Sequence, residues 1–161
     1  MARPNAGIPM VGADNVSHVP STFSAIRTSE INVIFTTLQG TTAAMRVAAS
    51  LSRATEARVR LIDPRILRYP LRSAGYALAA APEVSIEDRE RERVVRAAGV
   101  PVEVLVYNCG RETDAIRVAL RRHSFVIMGG HRSWLPTRQE RLQRAIESMG
   151  HIVTFVNERE L

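Results

Sequence analysis

The chain has 161 residues, 45% of them hydrophobic and 24% charged, a composition typical of one globular domain that excludes a disordered polypeptide. The single cysteine, Cys109, excludes an internal disulfide, and no apolar stretch approaches the ~20 residues of a membrane span. The net charge is +6, but the arginines alternate with acids along residues 87–96, which argues against a nucleic-acid interface. We therefore expect a cytoplasmic domain without a membrane span or secretory signal.

The N-terminal part of the chain shows no regular pattern. Residues 1–29 carry three prolines and no apolar periodicity, so we predict an irregular arm ahead of one α/β domain over residues 30–161. Within that domain, the β-branched and apolar run over residues 31–37 predicts a first strand that is buried on both faces. Gly40 and the two threonines after it predict the start of the first helix.

A second strand is predicted over residues 58–63. The Asp-Pro pair, Asp63 and Pro64, is expected to end this strand in a turn. Residues 65–82 contain one glycine and two prolines, so they are predicted to form a long connection with one helical turn near residues 76–80.

Two capping boxes, each a hydroxyl residue followed three positions later by an acid, mark the starts of two helices. One begins at Ser85 and the other at Thr137. Glycine in the left-handed conformation commonly ends a helix, so these two helices are predicted to end at Gly99 and Gly150.

The remaining strands are short apolar runs, predicted over residues 102–107, 124–128 and 152–156, and the second of these leads into a Gly-Gly pair. A helix is predicted between the first two, over residues 113–122. Its last turn is expected to carry three basic residues that oppose the negative end of the helix dipole, namely Arg121, Arg122 and His123.

Five strands alternating with helices predict an open, three-layer α/β fold with a parallel sheet and right-handed crossovers. Ligands of such sheets bind at the carboxyl ends of the strands, where the strand order reverses. The candidate ligand-binding residues therefore lie in the turns after the first and fourth strands: Thr36, Thr37, Gly40, Gly129, Gly130, His131 and Arg132.

Several stretches of the chain resemble the universal stress proteins. Residues 106–116 (VYNCGRETDAI) and 125–132 (FVIMGGHR) are similar to the second half of that domain, and residues 48–63 are similar to its first helix and second strand. The resemblance covers residues 30–157. It implies the strand order 3-2-1-4-5, ATP at the strand carboxyl ends in nucleotide-binding members, and dimers formed through the last strand.

The sequence departs from the nucleotide-binding members at two places. Those members carry an acidic residue after the first strand, where residues 36–39 read TTLQ. Their phosphate loop follows Gly-x2-Gly-x9-Gly-Ser/Thr, but a start at Gly129 puts Arg132 in place of the second glycine. Glycines are needed there because backbone N–H groups must approach the phosphates closely. We therefore expect no resident cofactor, with ATP or AMP as the alternative ligand.

These observations favour a non-enzymatic regulatory or stress-response binding module with a degenerate nucleotide loop. The alternative is an ATP- or AMP-binding universal stress protein with a remodelled phosphate loop and slow hydrolysis. A homodimer is expected because residues 152–156 hold no charge that would protect an edge strand, and the N-terminal arm is the rival cover for that edge. The resemblance also implies a protein partner, such as a transporter.

Three further features of the sequence bear on function. Trp134 either packs onto the helix that follows it or serves as an anchor for a partner. Cys109 beside Gly110 is favoured as an inert thiol over a nucleophile, since no sequence signature supplies a base. The four histidines show no i,i+4 pair, so no metal site is expected.

Overall fold

The computed structural model describes residues 29–67 and 85–159, which form a five-stranded parallel sheet with helices on both faces. The sheet order is β3-β2-β1-β4-β5, as the resemblance implied. The predicted arm, apart from Ser29, and the predicted helical turn near residues 76–80 lie outside the described residues. In chain order the elements are β1 (Glu30–Ile34), α1 (Leu38–Thr55), β2 (Arg58–Ile66), α2 (Ile86–Ala98), β3 (Val102–Cys109), α3 (Glu112–Ala119), β4 (Phe125–Gly130), α4 (Arg138–Ser148) and β5 (Ile152–Asn157).

Alternating residues of the inner strands fill two apolar layers. In β1, Ile31 and Val33 pack in the cluster that holds α1 and α2, whereas Ile34 packs in the cluster that holds α3 and α4. All three side chains are at most 2% exposed. This double burial explains why three of the five residues of β1 are β-branched and apolar. The polar residue among them, Asn32, is also buried and donates a hydrogen bond to the Phe125 carbonyl. In the described ranges, no helix is both long and apolar enough to cross a membrane.

Both predicted capping boxes are confirmed. Ser85 and Asp88 exchange side-chain and backbone hydrogen bonds at the start of α2, and Thr137 and Glu140 do the same at the start of α4. The helix α2 ends where predicted, at Gly99 with φ +64°.

The start of α1 was predicted two residues too late. It begins at Leu38 rather than at Gly40, because Thr37 Oγ1 accepts a hydrogen bond from the Gly40 N–H at 3.0 Å and makes Thr37 the N-cap.

The predicted end of α3 is wrong. The helix stops at Ala119, and Leu120 takes an extended conformation with its side chain 8% exposed in the core. Arg121, Arg122 and His123 therefore lie in the turn before β4 rather than in the last helical turn. The positive φ of His123, +57°, is incompatible with a continuing helix.

Asp63 and Pro64 do not end β2, which continues to Ile66 in register with β3. The Ile62 carbonyl faces β1, where it accepts a hydrogen bond from Phe35 N–H. Pro64, two residues further along the strand, faces the same side, but β1 has already ended there, so proline is tolerated. No ladder hydrogen bond is lost there by the missing N–H of Pro64.

Four charged side chains connect the end of β2 to the start of α2. Arg91 lies 2.7 Å from Asp63, Arg65 lies 3.3 Å from Asp63, and both arginines contact Asp88. Hydrogen bonds from Arg65, Ser85 and Arg91 lower the pKa of Asp88 well below its ordinary range. Asp63 is buried, with 7% of its surface exposed, rather than a solvated turn residue. We call Asp63, Arg65, Asp88 and Arg91 the β2–α2 ion network.

We predict that Asp63→Asn lowers the free energy of unfolding by about 2 kcal/mol, because it removes the charge from a buried group that accepts hydrogen bonds from two arginines. Asp114→Asn is the matched control, since it removes the same charge from a pair with Arg117 that is more than half exposed. The control should cost less than about 1 kcal/mol in urea denaturation. Equal costs for the two variants would contradict a structural role for the network.

Candidate ligand-binding site

The sheet has a switch point beside β1. The chain leaves β1 to form β2 on one side and returns on the other side as β4, so the turns at the carboxyl ends diverge there. Thr36 and Thr37 follow β1, Gly40 lies in the first turn of α1, and Gly129 and Gly130 end β4. The fold therefore places these five predicted site residues at one edge.

Three of the predicted residues touch one another directly. Thr36 Oγ1 donates a hydrogen bond to the Gly129 carbonyl at 2.6 Å. A Cβ added to Gly129 would lie 1.8 Å from the Gly40 carbonyl oxygen, and one added to Gly40 would lie 2.5 Å from the Gly129 oxygen. Both distances are far inside van der Waals contact. Glycine is thus required at both positions because the backbones of α1 and β4 meet without a side chain between them.

Three backbone N–H groups of the β1–α1 turn bond to other groups of the same turn. Thr36 N–H donates to Thr41 Oγ1 at 3.0 Å, and Gly40 N–H donates to Thr37 Oγ1 at 3.0 Å. Thr41 N–H donates to the Thr37 carbonyl at 2.8 Å. The Thr37 cap thus occupies the Gly40 N–H, a donor at the N-terminus of α1 that an anionic ligand would otherwise use.

The N-terminus of α4 carries its own negative charge. The Glu140 carboxylate accepts a hydrogen bond from Thr137 N–H at 2.8 Å, and Thr137 Oγ1 accepts one from Glu140 N–H at 3.2 Å. Beside them, Arg138 pairs with Glu112 at 2.6 Å. A carboxylate therefore already lies at the positive end of the α4 dipole.

The two remaining predicted residues, His131 and Arg132, lie on the loop between β4 and α4. His131 Nδ1 is buried and has no hydrogen-bond partner in the described part of the chain. The Arg132 guanidinium lies 5.3 Å from the centroid of the Phe155 ring, a cation–π arrangement, and its side chain is exposed. This loop is where side chains, rather than backbone groups, could contact an anion.

Phe155 is the residue of this edge that the sequence analysis missed. It lies on β5, and its ring approaches both the Arg132 guanidinium and the position of a Cβ on Gly130, at 3.3 Å. No local pattern links β5 to the β4–α4 loop, because the contact follows from the pairing of Gly129 with Val156 in the sheet.

Trp134 does not pack onto α4. Its surface is 91% exposed and that of the next residue, Leu135, is 56% exposed. A side chain that packed onto the following helix would be covered, so the first of the two interpretations of Trp134 is wrong. The role of an anchor for a partner remains a prediction.

Cys109, at the end of β3, has the environment of an unreactive thiol. Its Sγ donates toward the Arg65 carbonyl at 3.5 Å. Burial, followed by the negative charges of Glu112 and Asp114, raises the pKa of the thiol. A raised pKa keeps the sulfur protonated and so removes the nucleophilic thiolate.

Open grooves occur away from the switch point. One of about 510 Å³ lies at the opposite edge, where the end of α1 meets the starts of β2 and β3, with Ser52 and Pro101 in its lining. Another, of about 470 Å³, runs between α1 and α2, with Leu38 and Val94 in its lining. Neither groove includes a predicted site residue.

Comparison with solved structures identifies the fold. A universal stress protein family member from Burkholderia pseudomallei superposes with a TM-score of 0.52 at 17% identity, covering 81% of this chain and 96% of that chain. A universal stress protein solved in complex with cAMP gives a TM-score of 0.50 at 14% identity, covering 80% and 96%. No family model and no curated protein sequence matches the chain. The chain has the universal stress protein fold.

We predict that Gly129→Ala lowers the free energy of unfolding by about 3 kcal/mol, because the added methyl group collides with backbone that cannot move aside. Gly110→Ala is the matched control, since nothing lies within 4 Å of a Cβ at that position. The control should change stability by less than about 0.5 kcal/mol in urea denaturation. A Gly129→Ala variant as stable as the control would show that α1 and β4 do not meet as described.

Proposed function

We propose that the protein is a non-enzymatic regulatory binding module, a divergent relative of the universal stress proteins that keeps their binding edge but lacks a backbone phosphate loop. The observation that carries this proposal is that three of the four helices beginning at this edge are capped by side chains, whereas α3 has no side-chain cap but carries Glu112 and Asp114 in its first turn. Thr37 caps α1, and the capping boxes at Ser85 and Thr137 cap α2 and α4.

Phosphate binding at a helix N-terminus needs free N–H groups and a site without negative charge. At α4 the Glu140 carboxylate accepts the Thr137 N–H, so a phosphate there would face a like charge. At α1, Thr37 occupies the Gly40 N–H, and Gly129 is pressed against Gly40. The Gly40 N–H and the backbone of Gly40 and Gly129 therefore serve the packing of the fold.

The same residues supply little chemistry for hydrolysis. Residues 36–41 and 129–132 contain no acidic residue, and His131 is their one side chain that could act as a base near neutral pH. Its ring is half-buried and its Nδ1 fully buried, which limits the access of surface water to this imidazole. This supports a binding role over catalysis.

A second candidate function is nucleotide binding by side chains alone. Arg132 has no carboxylate partner among the described residues, and the buried Nδ1 of His131 has an unused capacity to bond. The structural relative solved with cAMP supports a nucleotide as the ligand to test. In this alternative the loop replaces glycine backbone with an arginine, which binds phosphate in a bidentate manner.

Trp134 is the only tryptophan, it is 91% exposed, and it lies two residues from Arg132, so its fluorescence can report binding at this loop. For the proposed module, we predict no saturable change on addition of AMP, cAMP or ATP up to about 1 mM, the range of weak association. Phosphate release from ATP should equal that of a blank.

Saturable quenching with a Kd below about 100 μM would instead establish the nucleotide-binding alternative, provided that Arg132→Gln weakens it. Arg141→Gln, which removes an exposed arginine from α4, is the matched control and should leave the titration unchanged.

We also propose that two copies pair through β5. This strand is last in the sheet order, and its register places it against β4 alone among the described strands. Ile152 is 47% exposed, and Val153, Phe155 and Val156 are half-buried. An uncharged apolar edge strand is normally covered, and a two-fold axis supplies a self-complementary cover.

Light scattering at micromolar concentration should therefore give twice the mass of one chain. Val153→Arg should shift the mass toward one chain, because it places a charge in the edge strand. Val118→Arg, at a position 74% exposed on α3, carries the same charge change and should remain dimeric. Circular dichroism checks that both variants fold. A full-length chain that is monomeric, and dimerises only without residues 1–28, would reject the dimer.

The regulatory part of the proposal needs a partner protein. Trp134 and Leu135 form an exposed apolar pair beside the Arg132 side chain. Tryptophan and arginine are the residue types that most often dominate the binding energy of protein interfaces. This loop is therefore the surface at which we expect such a partner to dock.

A further inference from the structure

Two histidines meet at the edge of the sheet opposite the candidate ligand-binding site. His123 lies in the turn between α3 and β4, and His151 lies in the turn between α4 and β5. Each contacts backbone of the other turn. Ser124 N–H donates to His151 Nδ1 at 3.2 Å, and His123 Nδ1 lies 3.2 Å from the Gly150 carbonyl oxygen.

These contacts lie at the point where β5 joins the sheet. The first hydrogen bond of the strand runs from Ile152 N–H to the Ser124 carbonyl at 3.0 Å, directly beside the histidine contacts. The turns themselves are constrained, since His123 has φ +57° and Gly150 has φ +87°. The two imidazoles therefore hold two constrained turns together at the start of an edge strand.

The hydrogen bond from Ser124 fixes the state of His151. Its Nδ1 can accept an N–H only when that nitrogen is unprotonated, so the proton of the neutral ring lies on Nε2. His123 Nδ1 can donate to a carbonyl in either the neutral or the charged form. Protonation of His151 at Nδ1 would thus place its N–H against the Ser124 N–H and remove the hydrogen bond between them.

Burial and the neighbouring positive charges oppose the protonation of His151. Burial, followed by repulsion from His123, lowers the pKa of His151 below its ordinary value. On the adjoining turn, Arg121 and Arg122 are exposed cations, and Arg121 lies 3.6 Å from Glu30. The nearest acid at the end of α4, Glu147, accepts a hydrogen bond from Gln143 at 2.8 Å.

We propose that His123 and His151 form a pH-sensitive latch that fastens the start of β5 to β4 and releases it on protonation. The latch weakens with acid because the unfolded chain, with the higher His151 pKa, binds the proton first. Its contribution is complete above the unfolded pKa near 6.5 and is lost as pH falls through the lower folded pKa. If β5 forms the proposed dimer, acidification would loosen that interface, a consequence that rests on the proposed function.

The latch is tested by NMR on the full chain between pH 7.5 and 5. The His151 ring should titrate below 6.5, and hydrogen exchange of the Ser124 and Ile152 amides, corrected for the intrinsic rate, should accelerate about tenfold across that titration. The amide of Val33, in the buried β1, should show no matching change. A His151 that titrates at or above 6.5, or amides that keep their protection, would overturn the proposal.

Variants give the second arm of the test. His151→Gln cannot titrate and should abolish the pH dependence of Ser124 protection, whereas His131→Gln, outside the latch, should leave it intact. An unchanged pH dependence in His151→Gln would overturn the latch. If this variant does not fold, the His151 titration and the amide exchange of the unsubstituted chain still test the latch. Light scattering at both pH values tests the dimer separately, because a monomer with pH-dependent protection supports the latch and rejects only the dimer.

Discussion

The backbone contact between Gly40 and Gly129 is the constraint on which the carboxyl edge of the sheet depends. It brings the first turn of α1 onto the end of β4 so closely that neither position has room for a Cβ atom. That approach allows Thr36 to reach the Gly129 carbonyl. It also limits which groups can bind a ligand. Among the predicted residues, the polar side chains that make no hydrogen bond within the described part of the chain are His131 and Arg132, on the β4–α4 loop.

The function of a glycine pair at a switch point depends on what its backbone touches. Glycines that approach a phosphate leave their N–H groups open to it, whereas here the glycines of two elements face each other. Three of the four helices that start at this edge begin with side-chain caps, and two of those caps include a carboxylate, Asp88 at α2 and Glu140 at α4. The fold of the universal stress proteins is thus retained, and we propose that packing takes the place of phosphate binding at its switch point.

Sequence patterns predicted most of the fold because its elements rest on local signals. The β-branched run of β1 and the capping boxes at Ser85 and Thr137 act within a few residues, so they can be recognised without a structure. The errors occurred where tertiary contacts override local preference. Pro64 stays in β2 because β1 has ended beside it, and α3 stops early because Leu120 is drawn into the core.

The sequence predicted which turns meet at the carboxyl edge of the sheet but not how their residues contact one another. The switch-point rule identified the turns after β1 and β4, but no pattern could show that Gly40 and Gly129 touch, since 89 residues separate them. Phe155 beneath Arg132 and the β2–α2 ion network also join distant parts of the chain. Such contacts follow from sheet register, which local periodicity does not encode.

The central claim is that the backbone at the switch point is used for packing rather than for phosphate. A crystal structure grown in the presence of ATP tests it most directly. The account predicts no phosphate density on the backbone N–H groups of residues 129–133 or at the N-terminus of α4, with the Gly40–Gly129 contact and the Glu140 cap intact. Phosphate oxygens bound to those N–H groups, with Glu140 displaced from Thr137, would contradict it.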